Sequence, residues 1–299
     1  MATPHYLGVD IGGTKVALRV ETDAGCVDEI TFRWAPDRSA AEDLTQLGRH
    51  LADLRTRIGA PLRAVGVAMP GMVGPDGRIT AWPSRPAWTG LDLDTSLRAL
   101  FGAAPVVWAD DGDLGALAEA RASGCDDLLY LGVGTGVGGG LVLNGAPCPG
   151  PSRGSFEIGH VVVDLDGPRC VCGRQGCLQA IASGPATLDR AALLRGTAVT
   201  FDDLRQALSG ARPWAVTAVD RTARALAAAV TGVRELLHPE RVVIGGGFAA
   251  GLPEIVGLVS AHLAQLARPG QPPPRAEPAT LGALSSLRGA VSLARLVAS

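Results

Sequence analysis

The chain has 299 residues, of which 47% are hydrophobic, and its 27 basic and 29 acidic side chains give a formal net charge of −2. No apolar run reaches the ~20 residues that a membrane-spanning helix needs. The sequence has no block of basic residues of the kind that binds nucleic acid, and its first residues lack the charged start of a signal peptide. We therefore expect a cytoplasmic protein with neither a membrane nor a nucleic-acid partner, large enough for two lobes of ordinary size.

The predicted elements alternate between strands and helices. A strand, a glycine turn and a second strand are predicted twice, over residues 6–20 and 126–145. Apolar spacing predicts helices over 39–58, 112–124, 185–195, 201–209, 214–237, 253–268 and 284–297. Further strands are predicted over 62–73, with a break at Pro70-Gly71, over 105–111, and at the start of 240–251. The Pro-rich stretch 269–279 predicts a stiff connection. The repeated hairpin predicts an α/β fold of two similar lobes with a ligand cleft between them.

Two glycine turns follow apolar strands, in "DIGGTK" (10–15) and "GTGVGGG" (134–140). Glycine lets successive backbone N–H groups point at an anion, so both turns are candidate phosphate sites, although each also fits a plain tight hairpin. Thr14, Lys15 and Thr135 add donors for phosphate oxygens. Asp10 ends its strand where a carboxylate could hold Mg²⁺ through water.

The strongest local pattern is a histidine followed by three clustered cysteines. His160, Cys170, Cys172 and Cys177 stand in "HVVVDLDGPRCVCGRQGC", with tight turns supplied by its glycines. One imidazole and three thiolates make a closed tetrahedral zinc site, which has no position open for water and is therefore structural. The alternative is a core histidine beside three buried thiols.

In this order, the motifs resemble the ROK family (repressors, open reading frames and sugar kinases) of the actin-like/hexokinase superfamily. The resemblance runs from "DIGGTK" through "GVAMPG", "ADDGDLGALAE", "GTGVGGGLVLNG" and "EIGH" to the cysteine cluster and "VVIGGGFA". It implies two actin-like (ribonuclease H-like) lobes that close on a sugar and ATP with Mg²⁺, a zinc knuckle over 160–177, and a homodimer. The implied smaller lobe is 1–112 plus about 285–299, and the larger one is 113–284.

The resemblance also assigns roles to single residues. Asp111 matches the family's catalytic base, while Glu157 and His160 match sugar contacts, with His160 also a zinc ligand. Gly71 and Ser84 stand where further sugar contacts are expected, Ser84 in the loop "TAWPSRPAWTG". The nucleotide-binding set comprises Asp10, Gly12, Gly13, Thr14 and Lys15 in the first turn, Gly134, Thr135 and Gly136 in the second, and Gly245, Gly246 and Gly247 on the adenosine side.

Two positions depart from the family pattern, which has Asn at position 110 and Glu at position 179; this chain has Asp110 and Gln179. The family's Asn contacts the hydroxyls around C3 and C4, and its Glu contacts the anomeric end. A carboxylate at position 110, beside Asp111 and facing Glu157, suits a cationic group at C3 because carboxylates only accept hydrogen bonds. We therefore expect ATP-dependent phosphorylation of the 6-hydroxyl of an amino sugar, 3-amino-3-deoxy-D-glucose (kanosamine), giving kanosamine 6-phosphate.

Other functions remain open at this point. Asp110 would also accept hydrogen bonds from neutral hydroxyls, which leaves glucose as an alternative substrate. Gln179 is compatible with a ring that lacks a free hydroxyl at C1, such as a C7-cyclitol. A non-catalytic sugar-binding sensor is a different class, which the presence of Asp10, Lys15 and Asp111 disfavours.

Overall fold

The computed structural model describes residues 3–35, 38–82, 84–150 and 154–298. The chain divides into two compact units. The first unit comprises Met1–Ala118, Pro149–Ser155 and Leu284–Ser299, and the second comprises Glu119–Cys148 and Phe156–Ala283. Within the described ranges, no helix has the combination of length and apolarity that crossing a bilayer requires.

The elements alternate between strands and helices along the chain. In the first half they are β1 (His5–Ile11), β2 (Lys15–Thr22), β3 (Gly25–Arg33), α1 (Ala40–Ile58), β4 (Leu62–Ala68), β5 (Met72–Val73), β6 (Ile79–Ala81), α2 (Leu93–Phe101), β7 (Val106–Ala109) and α3 (Asp111–Ser123). In the second half they are β8 (Leu128–Val133), β9 (Val137–Leu143), β10 (Ala146–Cys148), α4 (Leu178–Ala182), α5 (Gly184–Arg195), α6 (Phe201–Ser209), α7 (Pro213–Leu237), β11 (Arg241–Gly245), α8 (Gly247–Ala250), α9 (Glu254–Leu266), β12 (Arg275–Pro278) and α10 (Ser285–Ala298).

Each unit has a five-stranded sheet, and the two sheets share one topology. The orders are β3-β2-β1-β4-β7 and β10-β9-β8-β11-β12. In both sheets a meander of three antiparallel strands is followed by two strands that pair in parallel. The glycine turn β1–β2 in one unit therefore corresponds to the glycine turn β8–β9 in the other.

Helix α10 lies directly on the first sheet. A Cβ at Gly66 of β4 would stand 1.9 Å from the carbonyl oxygen of Ala290, and one at Gly8 of β1 would stand 2.6 Å from Cγ2 of Val291. Because real Cβ atoms do not approach other atoms so closely, both positions require glycine. Their missing side chains let the helix backbone approach the two central strands.

The helices predicted from apolar spacing are confirmed to within two residues at each end. Ser39 shows why α1 begins where it does, since its side chain accepts a hydrogen bond from the Glu42 N–H while Glu42 reaches back to Ser39 in a capping box. The second glycine hairpin, predicted over 126–145, is confirmed as β8 and β9.

Several strand and loop predictions were incomplete or wrong. The Pro-rich stretch 269–279 is not wholly a connection, because Arg275–Pro278 forms strand β12 and pairs with β11. The predicted break at Pro70-Gly71 is confirmed, since β4 ends at Ala68 and β5 begins at Met72. Strand 105–111, in contrast, ends at Ala109, because Asp111 already begins α3. Sequence reasoning missed β3, β10, α2 and α4. Strand β3 has a charged, exposed pattern, which resembles a loop until its pairing with β2 is known.

Candidate active site

The first glycine turn connects β1 to β2 and is held by Trp34. The Gly12 N–H donates to the Lys15 carbonyl oxygen at 2.9 Å, closing the turn. The Trp34 N–H donates to the Thr14 carbonyl at 3.1 Å, and its indole Nε1 donates to the Gly12 carbonyl at 2.8 Å. With its carbonyl groups bound in this way, the turn has a fixed backbone conformation. Sequence reasoning missed Trp34, which lies 22 positions from Gly12.

Ser84 lies against this turn. A Cβ added to Gly13 would stand 2.3 Å from the Ser84 Oγ and 2.5 Å from its Cβ. The next residue, Arg85, is anchored by an ion pair with the buried carboxylate of Asp43. Ser84 was predicted as a sugar contact, and in the structure its hydroxyl neighbours Gly13 of the glycine turn.

Asp10 and Asp111 are close enough to interact electrostatically. Desolvation and the negative charge of Asp111 raise the pKa of Asp10 from 3.8 to about 7, while the Lys15 charge lowers it. The desolvated Asp10 carboxylate and the nearby Asp111 carboxylate offer oxygen ligands and negative charge that fit a hydrated divalent cation. Asp10 is the residue that would hold Mg²⁺ here.

Asp110 and Asp111 stand at the start of α3. An Asp110 carboxylate oxygen accepts a hydrogen bond from the Gly112 N–H at 2.9 Å, and the Asp110 carbonyl accepts from the Leu114 N–H at 3.0 Å. Asp110 therefore acts as the helix cap. Helix α10 fixes the same turn, because the Ser286 hydroxyl donates to the Asp111 carbonyl at 3.1 Å. These contacts orient the backbone from which the Asp111 carboxylate projects.

The second glycine turn lies between β8 and β9 in the second unit. The Gly134 N–H donates to the Gly136 carbonyl at 2.9 Å, and the Gly184 N–H donates to the Gly134 carbonyl at 2.8 Å. Gly184 is the first residue of α5, so the helix start holds this turn in place. Thr135 is at the tip of the turn.

A cavity of about 460 Å³ opens beside the second turn. This volume lies within the range of about 300–1,000 Å³ typical of small-molecule sites. The aromatic rings of Phe201 and Phe248 meet edge to face at its wall with centroids 5.3 Å apart. Its lining consists of Gly134, Thr135, Gly184, Pro185, Leu188, Phe201, Gly247 and Phe248. Apolar and aromatic walls beside a glycine turn suit a nucleobase next to its phosphates.

The three predicted glycines between the end of β11 and the start of α8 contribute differently to this region. Gly247 lines the cavity. Gly246 has φ +85°, and a Cβ there would stand 2.5 Å from the Val133 backbone nitrogen. Gly245 is buried, and a Cβ there would stand 2.9 Å from Oη of Tyr130. Glycine at positions 245 and 246 therefore allows the chain to turn tightly into α8 beside β8.

The predicted metal ligands are brought together. One ligand atom from each of His160, Cys170, Cys172 and Cys177 lies within 4.8 Å of all the others. The Cys172 and Cys177 sulfurs are 3.6 Å apart, and the Cys170 sulfur is 3.7 Å from Nδ1 of His160. A tetrahedral zinc ion with bonds of about 2.3 Å to sulfur separates its ligands by about 3.8 Å, so the donor set and spacing fit zinc.

The thiols of this cluster differ in acidity. Burial raises the pKa of Cys170, but hydrogen bonds from the Cys172 backbone, Gln179, Cys172 and His160 outweigh burial and lower the pKa to about 6. Burial together with the neighbouring sulfurs raises the pKa of Cys177 to about 12. A metal ion that binds all three thiolates must displace the protons that remain.

The turn "EIGH" packs beside the second glycine turn. A Cβ at Gly159 would stand 1.9 Å from the Val137 carbonyl oxygen and 3.6 Å from the Gln179 Cβ. Glu157, His160 and Gln179, three predicted sugar contacts, therefore share one region of the second unit. In the first unit, the predicted contact Gly71 lies between Met69 and Trp82, where a Cβ would stand 2.8 Å from the Met69 methyl carbon.

Comparison with known proteins identifies the family. The family model "ROK family" matches residues 6–296, and the chain belongs to the ROK family. It is 66% identical over 298 residues to a protein named kanosamine kinase from Amycolatopsis mediterranei strain S699, covering 100% of this chain and 98% of that one.

Solved structures of the family have the same fold. The ROK hexokinase of Thermus thermophilus matches with a TM-score of 0.85 and 28% identity over 98% of each chain. A ROK family glucokinase from Streptomyces griseus, solved with glucose and AMPPNP, matches with a TM-score of 0.79 and 25% identity over 98% of this chain and 99% of that chain.

Proposed function

We propose that this protein is a sugar kinase that transfers the γ-phosphoryl group of ATP to the 6-hydroxyl of kanosamine, giving kanosamine 6-phosphate. The observation that carries the proposal is the 66% identity, over the whole chain, to the Amycolatopsis relative. The acidic pair Asp110 and Asp111 supports it independently, because an ammonium group on the sugar ring pairs with carboxylates through charge-assisted hydrogen bonds.

In this reaction Asp111 accepts the proton of the sugar hydroxyl. As that oxygen forms its bond to the γ-phosphorus, the bond from phosphorus to the β–γ bridging oxygen breaks, and ADP leaves with the electron pair. Lys15 and the N–H groups of Gly13 and Thr14 would offset charge on the phosphates, as would those of Thr135 and Gly136. Mg²⁺, held at Asp10, supplies further neutralisation of phosphate charge when bound.

The second unit supplies the nucleoside site and the metal cluster. The apolar cavity beside Thr135, with Phe201 and Phe248 in its wall, is the proposed adenosine site. Zinc at His160, Cys170, Cys172 and Cys177 would keep "EIGH" in place, so that Glu157 and His160 can bind sugar hydroxyls. We propose that the two units correspond to the actin-like lobes expected over 1–112 plus about 285–299 and over 113–284, with 113–118 and 149–155 grouped with the first unit. We further propose that the protein is a homodimer.

The experiment is a comparison of kcat/KM for kanosamine and glucose in a coupled ADP-release assay. A clear preference for kanosamine supports the proposal, and equal values or a preference for glucose contradict the substrate. Glucose is the second candidate, favoured by the match to the Streptomyces glucokinase. C7-cyclitols belong in the same assay. Sugar binding without turnover of any of these substrates would instead point to a sensor.

A further inference from the structure

Gln179 contacts the metal cluster and lies beside the second glycine turn. Its side-chain Nε2 donates to the Cys170 sulfur at 3.4 Å. Its Oε1 lies on the other side, 3.2 Å from the position that a Cβ on Gly136 would occupy. The half-buried amide thus fills the space between a metal-ligating sulfur and the turn.

A backbone connection runs in parallel with this side chain. Cys177 is the N-cap of α4, and its carbonyl accepts from the Ala180 N–H at 3.0 Å. The Gln179 carbonyl accepts from the Ser183 N–H at 3.2 Å, and the next residue, Gly184, donates to the Gly134 carbonyl at 2.8 Å. One short helix therefore joins a cluster cysteine to the start of α5 and to the turn.

The amide group matters because of what it can donate. An amide offers N–H donors to a thiolate, whereas an ionised carboxylate only accepts and would repel the sulfur. Hydrogen bonds to metal ligands from outside the ligand set orient those ligands, and their loss typically costs about 10–100-fold in metal affinity. The family resemblance leads one to expect Glu at position 179, which could not make this bond.

We propose that Gln179 is a positioning residue that stabilises the zinc-loaded cluster through Cys170 and couples zinc occupancy to the conformation of the turn at residues 134–136. The inference rests on the zinc site and the nucleotide site proposed above. Zinc binding and nucleotide binding then strengthen one another, and this coupling is reciprocal because both are equilibria of one protein. This role accounts for Gln at position 179 without a contact to the sugar.

The test measures zinc affinity rather than turnover. Zinc is titrated in competition with a chromophoric chelator, with and without Mg²⁺ and a non-hydrolysable ATP analogue, for the unmodified protein and the variants Gln179→Leu, Gln179→Met and Gln179→Glu. The matched control is Gln175→Leu, which removes an exposed amide from the same cysteine-rich loop. Cobalt-substituted protein adds a sulfur-to-metal absorption band that reports the ligand environment.

We expect zinc affinity to fall about 10–100-fold in the three Gln179 variants and to stay unchanged in the Gln175 control. In the unmodified protein the nucleotide analogue should tighten zinc binding by about 5-fold or more, and the Gln179 variants should lose most of this effect. The cobalt band should shift in the Gln179 variants alone. Two variants that keep the side-chain length, Met and Glu, preserve the test if the Leu variant does not fold.

Unchanged zinc affinity and nucleotide effect in folded Gln179 variants would overturn the inference, and so would an equal loss in the Gln175 control. If the unmodified protein does not bind zinc, the metal site itself is wrong and the inference is overturned with it. The sugar-kinase proposal is judged separately, by ADP release with kanosamine, so its failure is distinguishable from failure here.

Discussion

The negative charge of Asp111 acts on Asp10: together with desolvation, which contributes most, it raises the Asp10 pKa from 3.8 to about 7. Asp10 is the second-to-last residue of strand β1, and Asp111 is the first residue of α3. The cation that opposes this shift is Lys15, the chain's sole lysine. A proposed metal-binding carboxylate is therefore about half protonated near neutral pH in the free protein.

We predict that binding of Mg²⁺ and a non-hydrolysable ATP analogue releases a proton from Asp10. A divalent cation favours the carboxylate form and returns its pKa toward the ordinary range, so about half a proton should leave at pH 7 and less at pH 8 or above. Calorimetry in buffers of different ionisation enthalpy measures this number. Asp10→Asn should abolish the release, and a release of the same size in that variant would contradict the assignment.

The same shift has a stability consequence. Because the folded-state pKa of Asp10 lies above its unfolded value, the free protein should lose stability as pH rises from about 4 to about 7 and change little from this group above that range. Thermal denaturation of the unmodified protein and of Asp10→Asn across these pH values checks the sign. The Asn variant should lack this loss of stability with pH.

Asp111→Asn should lower kcat by about 10²–10⁴-fold, because an amide cannot accept the hydroxyl proton. The fold should persist, since the contact to Ser286 uses the Asp111 backbone carbonyl and not its side chain. Calorimetric sugar binding should change much less than kcat. A variant that turns over at the normal rate would show that another group is the base.

Asp110 has two roles that substitution can separate. Asn caps a helix about as well as Asp, whereas Ala costs about 0.5–2 kcal/mol. Asp110→Asn should therefore keep the melting temperature but lower the ratio of kcat/KM for kanosamine to that for glucose. Asp110→Ala should lower both the ratio and the stability. If Asp110→Asn leaves the ratio unchanged, the carboxylate serves only as the cap of α3.

The sequence predicted those parts of the fold and site whose residues lie close together along the chain. The four predicted metal ligands fall within 18 positions, from His160 to Cys177, and the residues of each glycine turn are contiguous, so both patterns are visible in the sequence alone. Trp34 was missed, and so was the contact of Ser84 with Gly13, because each residue reaches the first glycine turn from a distant part of the chain. The start of α3 was predicted to within one residue, but the hydrogen bond that the Asp110 carboxylate accepts from the Gly112 N–H was missed.

The cavity proposed to bind adenosine gives a further prediction. Phe201 and Phe248 meet at its wall, so Phe201→Ala should raise the KM for ATP while the KM for the sugar changes little. The control for general destabilisation is Phe101→Ala, which removes a buried aromatic ring from helix α2 of the first unit. An equal rise in both KM values for Phe201→Ala, or the same rise in the control, would mean that the change reflects general destabilisation.

The contact between Gly13 and Ser84 can be tested by a double-mutant cycle. In Gly13→Ala the new methyl group would stand 2.3 Å from the Ser84 Oγ, so either the turn or the loop that carries Ser84 must shift. We expect weaker binding of the Mg²⁺–ATP analogue in Gly13→Ala and recovery of much of it in Gly13→Ala/Ser84→Gly, because the second change removes the atoms that collide. Ser84→Gly alone serves as the control and should bind nucleotide nearly normally. Additive losses in the double variant would show that the two residues act independently. In that case glycine at position 13 is needed for the close approach of the turn to its ligand, and the contact with Ser84 is not the reason for it.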